Sequence, residues 1–263
     1  MIWIALCAAL FFALTAPGME RARVRRWQGA CFAHRGLHGP DRAENSLAAF
    51  EAACQAGYGV ELDVRLSRDG QPVVFHDGTL GRLCGDPRRP EELTVRQLKA
   101  LSLRPSGDSI PTLDEALACL AGRVPVLVEI KSSRRLFRLT DAACARLRAY
   151  SGEYLVQSFH PACLWRLRWT APEMARGQLL ASRGGRDGNA FRAIGSVLAG
   201  LTVNALSRPD FVSYDISDAC NPAPRLQRAL YATPMAAWTV RTQEELALAR
   251  SRGEMVIFEE ILP

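Results

Sequence analysis

Lysine is almost missing from this chain. Only Lys99 and Lys131 occur, so arginine carries the net charge of +6. Such a surplus suits anionic partners, phosphates or acidic lipid surfaces. It is equally what a GC-rich genome writes wherever a basic surface residue is tolerated. The arginines are not interleaved with aromatics in a nucleic-acid pattern, so no nucleic-acid partner is expected. Eight cysteines stand at 7, 31, 54, 84, 119, 144, 163 and 220, and no two are closer than 19 residues. That spacing excludes C-x-x-C zinc and redox motifs. Cys54, Cys119 and Cys144 sit beside alanines in helix-like runs and read as small buried apolar residues. Thiols outside disulfides favour a reducing compartment. No internal repeat, low-complexity stretch or Pro/Ser linker is present. With 48% hydrophobic residues over 263 positions, the chain suits one large core, the size of a single α/β barrel.

No Lys or Arg precedes the apolar run at residues 2–16, while Arg21, Arg23, Arg25 and Arg26 follow it. A cleaved signal peptide carries its positive charges in front. Charges behind the run assign the rest of the chain to the cytoplasm. The run is shorter than the ~20 residues of an ordinary span. Residues 1–19 are therefore expected to form a hydrophobic anchor at the cytoplasmic face of a membrane. The alternatives are an interfacial segment and a cytoplasmic protein beginning at Met19.

Strand-like runs alternate with helix-like Ala/Leu/Arg segments, which predicts βα units and a mostly parallel sheet. The runs lie at 31–34, 60–65, 72–76, 125–131, 154–158, 177–181, 211–215, 235–240 and 255–259. Nine exceeds the eight slots of a barrel. The five-residue link Ser67–Gln71 is too short for a parallel return, so 60–76 is predicted to be a hairpin turning at Asp69-Gly70. The first helix is capped by Asn45 or Ser46, carries a stripe of Leu47, Phe50, Ala53 and Cys54, and ends near Gly57. Residues 79–111 read as a loop or insertion.

Within Val60-Glu61-Leu62-Asp63-Val64, period-two alternation gives Glu61 and Asp63 one face. Buried acids are costly unless neutralised, and a divalent cation bound by carboxylate oxygens does that. An exposed strand face is the alternative. Val128-Glu129-Ile130-Lys131 repeats the geometry. Glu129 offers a third carboxylate, and Lys131 either holds a phosphate oxygen or pairs internally with Glu129. His34 and His76 end strand-like runs, where barrel sites are built, and can serve as acid and base near neutrality. His38 and His160 sit in loop-like or helix-start contexts. Arg35 has the planar fork that suits phosphate. Glu44 is either a helix-dipole partner or a group that orients a neighbour. Trp238 is either core or a pocket wall. Arg134, Arg135 and Arg138 form a solvated loop or recruit anionic headgroups.

As an ordered set these residues resemble the glycerophosphodiester phosphodiesterase family. The matching segments are Ala33-His34-Arg35-Gly36, Glu44-Asn45-Ser46 with Phe50, Glu61-Leu62-Asp63-Val64, Asp69-Gly70 and Val73-Val74-Phe75-His76-Asp77 with Leu80 and Arg82. Glu129-Ile130-Lys131, Ser158-Phe159 and Trp238-Thr239-Val240 follow. The resemblance implies an α/β fold, a (β/α)₈ TIM-type barrel over residues 28–263 with a short hairpin and insertion after the second strand. It implies hydrolysis of glycerophosphodiesters to glycerol 3-phosphate and an alcohol. One divalent cation, Mg²⁺ or Ca²⁺ with Mn²⁺ as a third candidate, would be held by Glu61, Asp63 and Glu129. His34 and His76 would be the base and the acid, and Arg35, Lys131 and Trp238 would bind substrate. The chain departs from the pattern at Ala43, at Arg241 and over Gly253–Glu260, which bears on the substrate pocket more than on the chemistry. The competing readings are a phosphodiesterase acting on lipid or lysophospholipid headgroups and a membrane-tethered barrel that binds phosphodiesters without turnover.

Overall fold

The computed structural model describes residues 2–18, 21–180, 204–218 and 222–263. Eleven strands occur among them: β1 (Cys31–Ala33), β2 (Gly59–Leu66), β3 (Pro72–Val74), β4 (Ser102–Leu103), β5 (Asp108–Ser109) and β6 (Val126–Ile130), then β7 (Tyr154–Ser158), β8 (Arg176–Leu180), β9 (Phe211–Asp215), β10 (Met235–Val240) and β11 (Met255–Phe258). The hydrogen-bonding order of the main sheet is β1-β11-β10-β9-β8-β7-β6-β2-β3, and β1 pairs additionally with β2. Eight strands thus follow one another in a ring, and β3 is the extra arm. The β1–β2, β2–β6, β8–β9 and β9–β10 pairs are parallel. This is the connectivity predicted above. Residue 181, the last of one predicted strand, and Cys220 lie outside the described residues.

Cα packing divides the chain into two compact units, residues 1–29 with 157–256 and residues 30–156 with 257–263. In the second unit, β2 and β3 form the expected antiparallel hairpin, with Val64 opposite Val74 and Gly70 at φ +82° in the turn. Strands β2 and β6 are buried on both faces, as strands of a covered parallel sheet are. The helix Leu47–Gln55 begins at Ser46, whose hydroxyl accepts from the Ala49 N–H at 3.1 Å. Its buried face is Ala49, Phe50 and Ala53, whereas Leu47 is exposed and Cys54 half-buried. The predicted stripe was therefore rotated by part of a turn. Cys119 is also half-buried, and only Cys144 of the three predicted core cysteines is buried. Residues 79–111 are no plain loop. They hold two short α-helices, a 3₁₀ turn at Pro90–Glu92 and the β4–β5 ribbon around Phe75, Leu80, Leu93, Leu98, Leu103 and Ile110.

In the first unit, residues 2–15 form a helix of 14 residues. At 1.5 Å per residue this is about 21 Å long, well short of a hydrocarbon core of about 30 Å. No helix among the described residues is long and apolar enough to cross a membrane, so the expectation of a spanning anchor is not supported. The end of the helix is instead docked. The Thr15 carbonyl accepts from Asn204 Nδ2 at 3.1 Å and from Gln227 Nε2 at 2.8 Å. Arg208 donates to the Ala16 carbonyl at 2.9 Å, and the Gly18 N–H donates to Pro209 at 2.8 Å.

Candidate active site

All the predicted acids, both predicted histidines, Arg35, Glu44 and Lys131 fall in the second unit. Strand pairing does the first part of the assembly. Asp63 lies directly opposite Glu129 across β2 and β6, and Glu61 shares the Asp63 side of β2 by alternation. Ligand oxygens of Glu61, Asp63 and Glu129 all lie within 4.8 Å of one another, and all three residues are buried. The alternative of an exposed acidic strand face is excluded.

A buried lysine and a half-buried arginine face these three carboxylates. Lys131 Nζ lies 2.8 Å from Asp63 Oδ1 and 2.6 Å from Glu129 Oε1. Arg35 Nε lies 3.4 Å from Asp63 Oδ2 and has no hydrogen-bond partner. Burial works to raise the Asp63 carboxyl, but Lys131, His76 and Arg35 outweigh it and hold Asp63 well below its ordinary range. Burial, followed by the neighbouring Asp63 and Glu129, pushes Glu61 well above its ordinary range. The side chains leave negative charge at Glu61 uncompensated. Hard oxygen donors with surplus negative charge suit a divalent cation such as Mg²⁺ or Ca²⁺. The residues fit the group that the resemblance implies.

The Ala33-His34-Arg35-Gly36 turn has a steric origin. A Cβ at Gly36 would stand 2.9 Å from Ala49 and Phe50 atoms, and Gly36 has φ +80°. Only glycine lets the turn lie against the helix Leu47–Gln55. Arg35 and Asn45 also adopt left-handed backbone, each at φ +58°, which is costly outside glycine. The strain has visible returns. The Arg35 N–H donates to Glu61 Oε2 at 3.1 Å. Asn45 brackets Asp63, donating from Nδ2 to Oδ2 at 2.8 Å and accepting the Asp63 N–H at 3.3 Å. Asn45 is thus no helix cap but a clamp on one of the carboxylates.

Each histidine backs onto a carboxylate. His34 Nδ1 lies 3.1 Å from Glu259 Oε2, and His38 Nε2 lies 3.3 Å from the other oxygen of the same group. Burial lowers the His34 pKa to about 4, against the opposing pull of Glu259. His76 Nδ1 lies 2.8 Å from Asp77 Oδ1, and Arg65 donates twice to the His76 carbonyl, at 2.9 and 2.7 Å. Asp77 Oδ2 accepts from Arg82 Nε at 2.7 Å. Arg82 also grips both oxygens of Glu44, at 2.8 and 2.7 Å, and Glu44 accepts from Arg35 at 2.8 Å. A continuous ionic chain therefore runs from His76 to Arg35. Glu44 serves as an orienting link in it rather than as a helix-dipole partner.

Glu259 had no local signal, because His34 lies 225 positions away and the segment around it diverges from the expected terminal pattern. Asp77 and Arg82 were visible as motif matches, but not as links in this chain. His160 caps the helix Pro161–Thr170, accepting from the Ala162 N–H at 3.2 Å. Trp238 lies in the first unit, edge-on to Phe159 at 5.8 Å. Its indole N–H is buried with no hydrogen-bond partner.

A sequence model of the glycerophosphoryl diester phosphodiesterase family matches residues 34–258. The chain belongs to that family. It is accordingly a phosphoric diester hydrolase on a TIM-barrel fold. Among curated relatives, a probable glycerophosphodiester phosphodiesterase 1 of Mycobacterium tuberculosis is 29% identical over 247 residues, covering 84% of this chain and 85% of that protein. Glycerophosphodiester phosphodiesterase 1 of Bos taurus is 34% identical over 154 residues, covering 54% of this chain and 46% of its own. Among solved structures, a Thermotoga maritima glycerophosphodiester phosphodiesterase is 26% identical with a TM-score of 0.66, covering 87% of this chain and 93% of that one. An Oleispira antarctica phosphodiesterase in complex with its product sn-glycerol-3-phosphate shares the fold at 24% identity, with a TM-score of 0.70, over 87% of this chain and 92% of that one.

Proposed function

We propose that residues 28–263 hydrolyse glycerophosphodiesters to glycerol 3-phosphate and an alcohol. The observation that carries this reading is the buried cluster of Glu61, Asp63 and Glu129, in the same unit as two histidines backed by carboxylates. A divalent cation held by those three carboxylates supplies polarisation of the phosphate and an offset for charge growing on its oxygens.

The protein's own groups do the rest. With Nδ1–H donated to Glu259, neutral His34 presents a bare Nε2 and acts as base. It takes the proton from the attacking hydroxyl, either the neighbouring glycerol hydroxyl or water, as the new O–P bond forms. The bond to the leaving alcohol breaks, its electron pair stays on the leaving oxygen, and His76 delivers a proton there. If the glycerol hydroxyl attacks, a cyclic phosphate results, and water opens it with the two roles exchanged. Arg35 steadies the phosphate through its fork. Lys131 fixes the spacing of Asp63 and Glu129 and leans its charge toward the same oxygens. A substrate-binding role for Trp238, whose buried indole N–H has no hydrogen-bond partner, rests on the family resemblance alone. A lysophospholipid substrate, at the cytoplasmic face of a membrane, is the second reading. It is favoured by the apolar residues that the helix Ile2–Thr15 exposes.

The test is release of glycerol 3-phosphate from glycerophosphocholine by the metal-stripped full chain, with Mg²⁺, Ca²⁺ and Mn²⁺ restored separately. Metal-dependent release that His34→Ala abolishes supports the reading. Absence of release with every ion, alongside turnover of lysophospholipid, would move the assignment to the lipid substrate.

A further inference from the structure

Three helices of the first unit expose large apolar side chains, and the short one packs on each of the other two. On the helix Ile2–Thr15, Trp3, Leu6 and Leu10 are 80%, 55% and 59% exposed. Their spacing of three and four puts them on one stripe. On the helix Pro161–Thr170, Trp165 and Trp169 are exposed one turn apart, Trp169 at 64%. The short helix Asn204–Ser207 stands between the two. Asn204 bonds the end of the first helix at 3.1 Å, and Arg168 bonds the Ala205 carbonyl at 3.2 Å. Its Leu206 is also exposed.

Soluble monomers rarely expose large apolar side chains together. The chemistry here is specific: two exposed tryptophans on one helix, a third on the helix Ile2–Thr15, and a cation beside Trp169. The Arg168 guanidinium lies 5.0 Å from the Trp169 ring centroid. The basic run is fastened nearby, through Tyr231, whose hydroxyl donates to the Phe12 carbonyl of the first helix at 3.3 Å, and through the turn after the helix Pro161–Thr170. Arg21 donates to the Tyr231 carbonyl, and Arg23 donates to the Glu173 carbonyl at 3.0 Å, just past the end of the helix Pro161–Thr170. Arg25 and Arg26 beyond them are exposed. Tryptophans at headgroup depth with flanking arginines suit the boundary of an anionic bilayer. A helix of about 21 Å is shorter than a hydrocarbon core of about 30 Å.

We propose that this face of the first unit is a peripheral docking surface for anionic lipid bilayers, with the helix Ile2–Thr15 lying in the interface rather than crossing it. The inference does not depend on the reaction catalysed.

Vesicle flotation of the full chain tests it, using phosphatidylcholine vesicles with and without roughly one-third phosphatidylglycerol. Binding should require the anionic lipid and weaken with salt. Arg25→Gln with Arg26→Gln should lower the binding constant by about fivefold per arginine. Leu10→Ser with Trp169→Ser should lower it about tenfold or more. Unchanged thermal unfolding identifies the variants that fold, and the two pairs act independently. Failure to float with either vesicle, or equal binding by wild type and both folded variants, would overturn the proposal. So would concentration-dependent dimerisation that Leu10→Ser with Trp169→Ser abolishes, because a second copy would then cover the face.

Discussion

Replacing Glu61 by Gln should stabilise the metal-free protein while destroying its response to divalent cations. Glu61 is buried with two other carboxylates, their oxygens within 4.8 Å of one another. At that separation, and at an effective dielectric of about 20, each like-charge pair costs about 3 kcal/mol. Lys131 and Arg35 offset only part of this, so net strain remains on the folded state and holds the Glu61 carboxyl well above its ordinary range; relieving it raises stability. For a chain of this size that is a rise of about 2–4 °C in Tm per kcal/mol relieved. The pH dependence has a definite sign. The folded-state pKa of Glu61 is raised, so above its ordinary pKa the folded state binds more protons than the unfolded state. Stability of the metal-free protein therefore falls as pH rises from about 4.5 toward neutrality, and Glu61→Gln should flatten that slope. A saturating cation, at about 100 times its Kd, should add about 2.7 kcal/mol to wild type and far less to the variant. Thermal unfolding in chelator and in excess Mg²⁺ or Ca²⁺ measures both effects. A variant less stable than wild type in chelator, or one that keeps the full cation response, would refute the charge argument.

His76→Ala should lower kcat by about 10²–10⁴-fold without weakening cation stabilisation in the same melts, since His76 is not among the clustered ligands. Glu259→Ala should cost about 10–100-fold in kcat/KM by freeing the His34 ring, and Glu259→Gln should recover part of it. Equal activity in all three proteins would remove Glu259 from the machinery. Asn45→Ala should weaken cation affinity about 10–100-fold, because Asp63 loses both of its bonds to Asn45; calorimetric titration reads this directly. The lowered pKa of His34, about 4, gives the opposite slope to Glu61. Between the unfolded value of about 6.5 and the folded one, the unfolded state binds the extra proton. The stability that His34 contributes is complete above about pH 6.5 and is lost as pH falls toward 4, and a His34→Gln variant should lack that loss in acid melts.

Much of this protein was fixed by local rules. Alternation in a strand put Glu61 and Asp63 on one side, and five residues between two runs demanded a hairpin. Ordered motifs pointed to the family over about residues 30–260, and the family model matches residues 34–258. Those inferences needed only the pleat, the turn and the short reach of a five-residue link. Other features were decided by the fold, because they depend on which distant residues meet. Register put Glu129 opposite Asp63. Chain return brought Glu259 to His34, and the pairings of Arg82 with Glu44 and Asp77 exist only once the insertion packs. The N-terminal run illustrates the difference most plainly. Its hydropathy announced an apolar segment. Only the structure showed that its helix, about 21 Å long, is not long and apolar enough to cross a membrane, and that its end at Thr15, Ala16 and Gly18 is held by hydrogen bonds to residues almost 200 or more positions away, because such bonds depend on which distant segments meet.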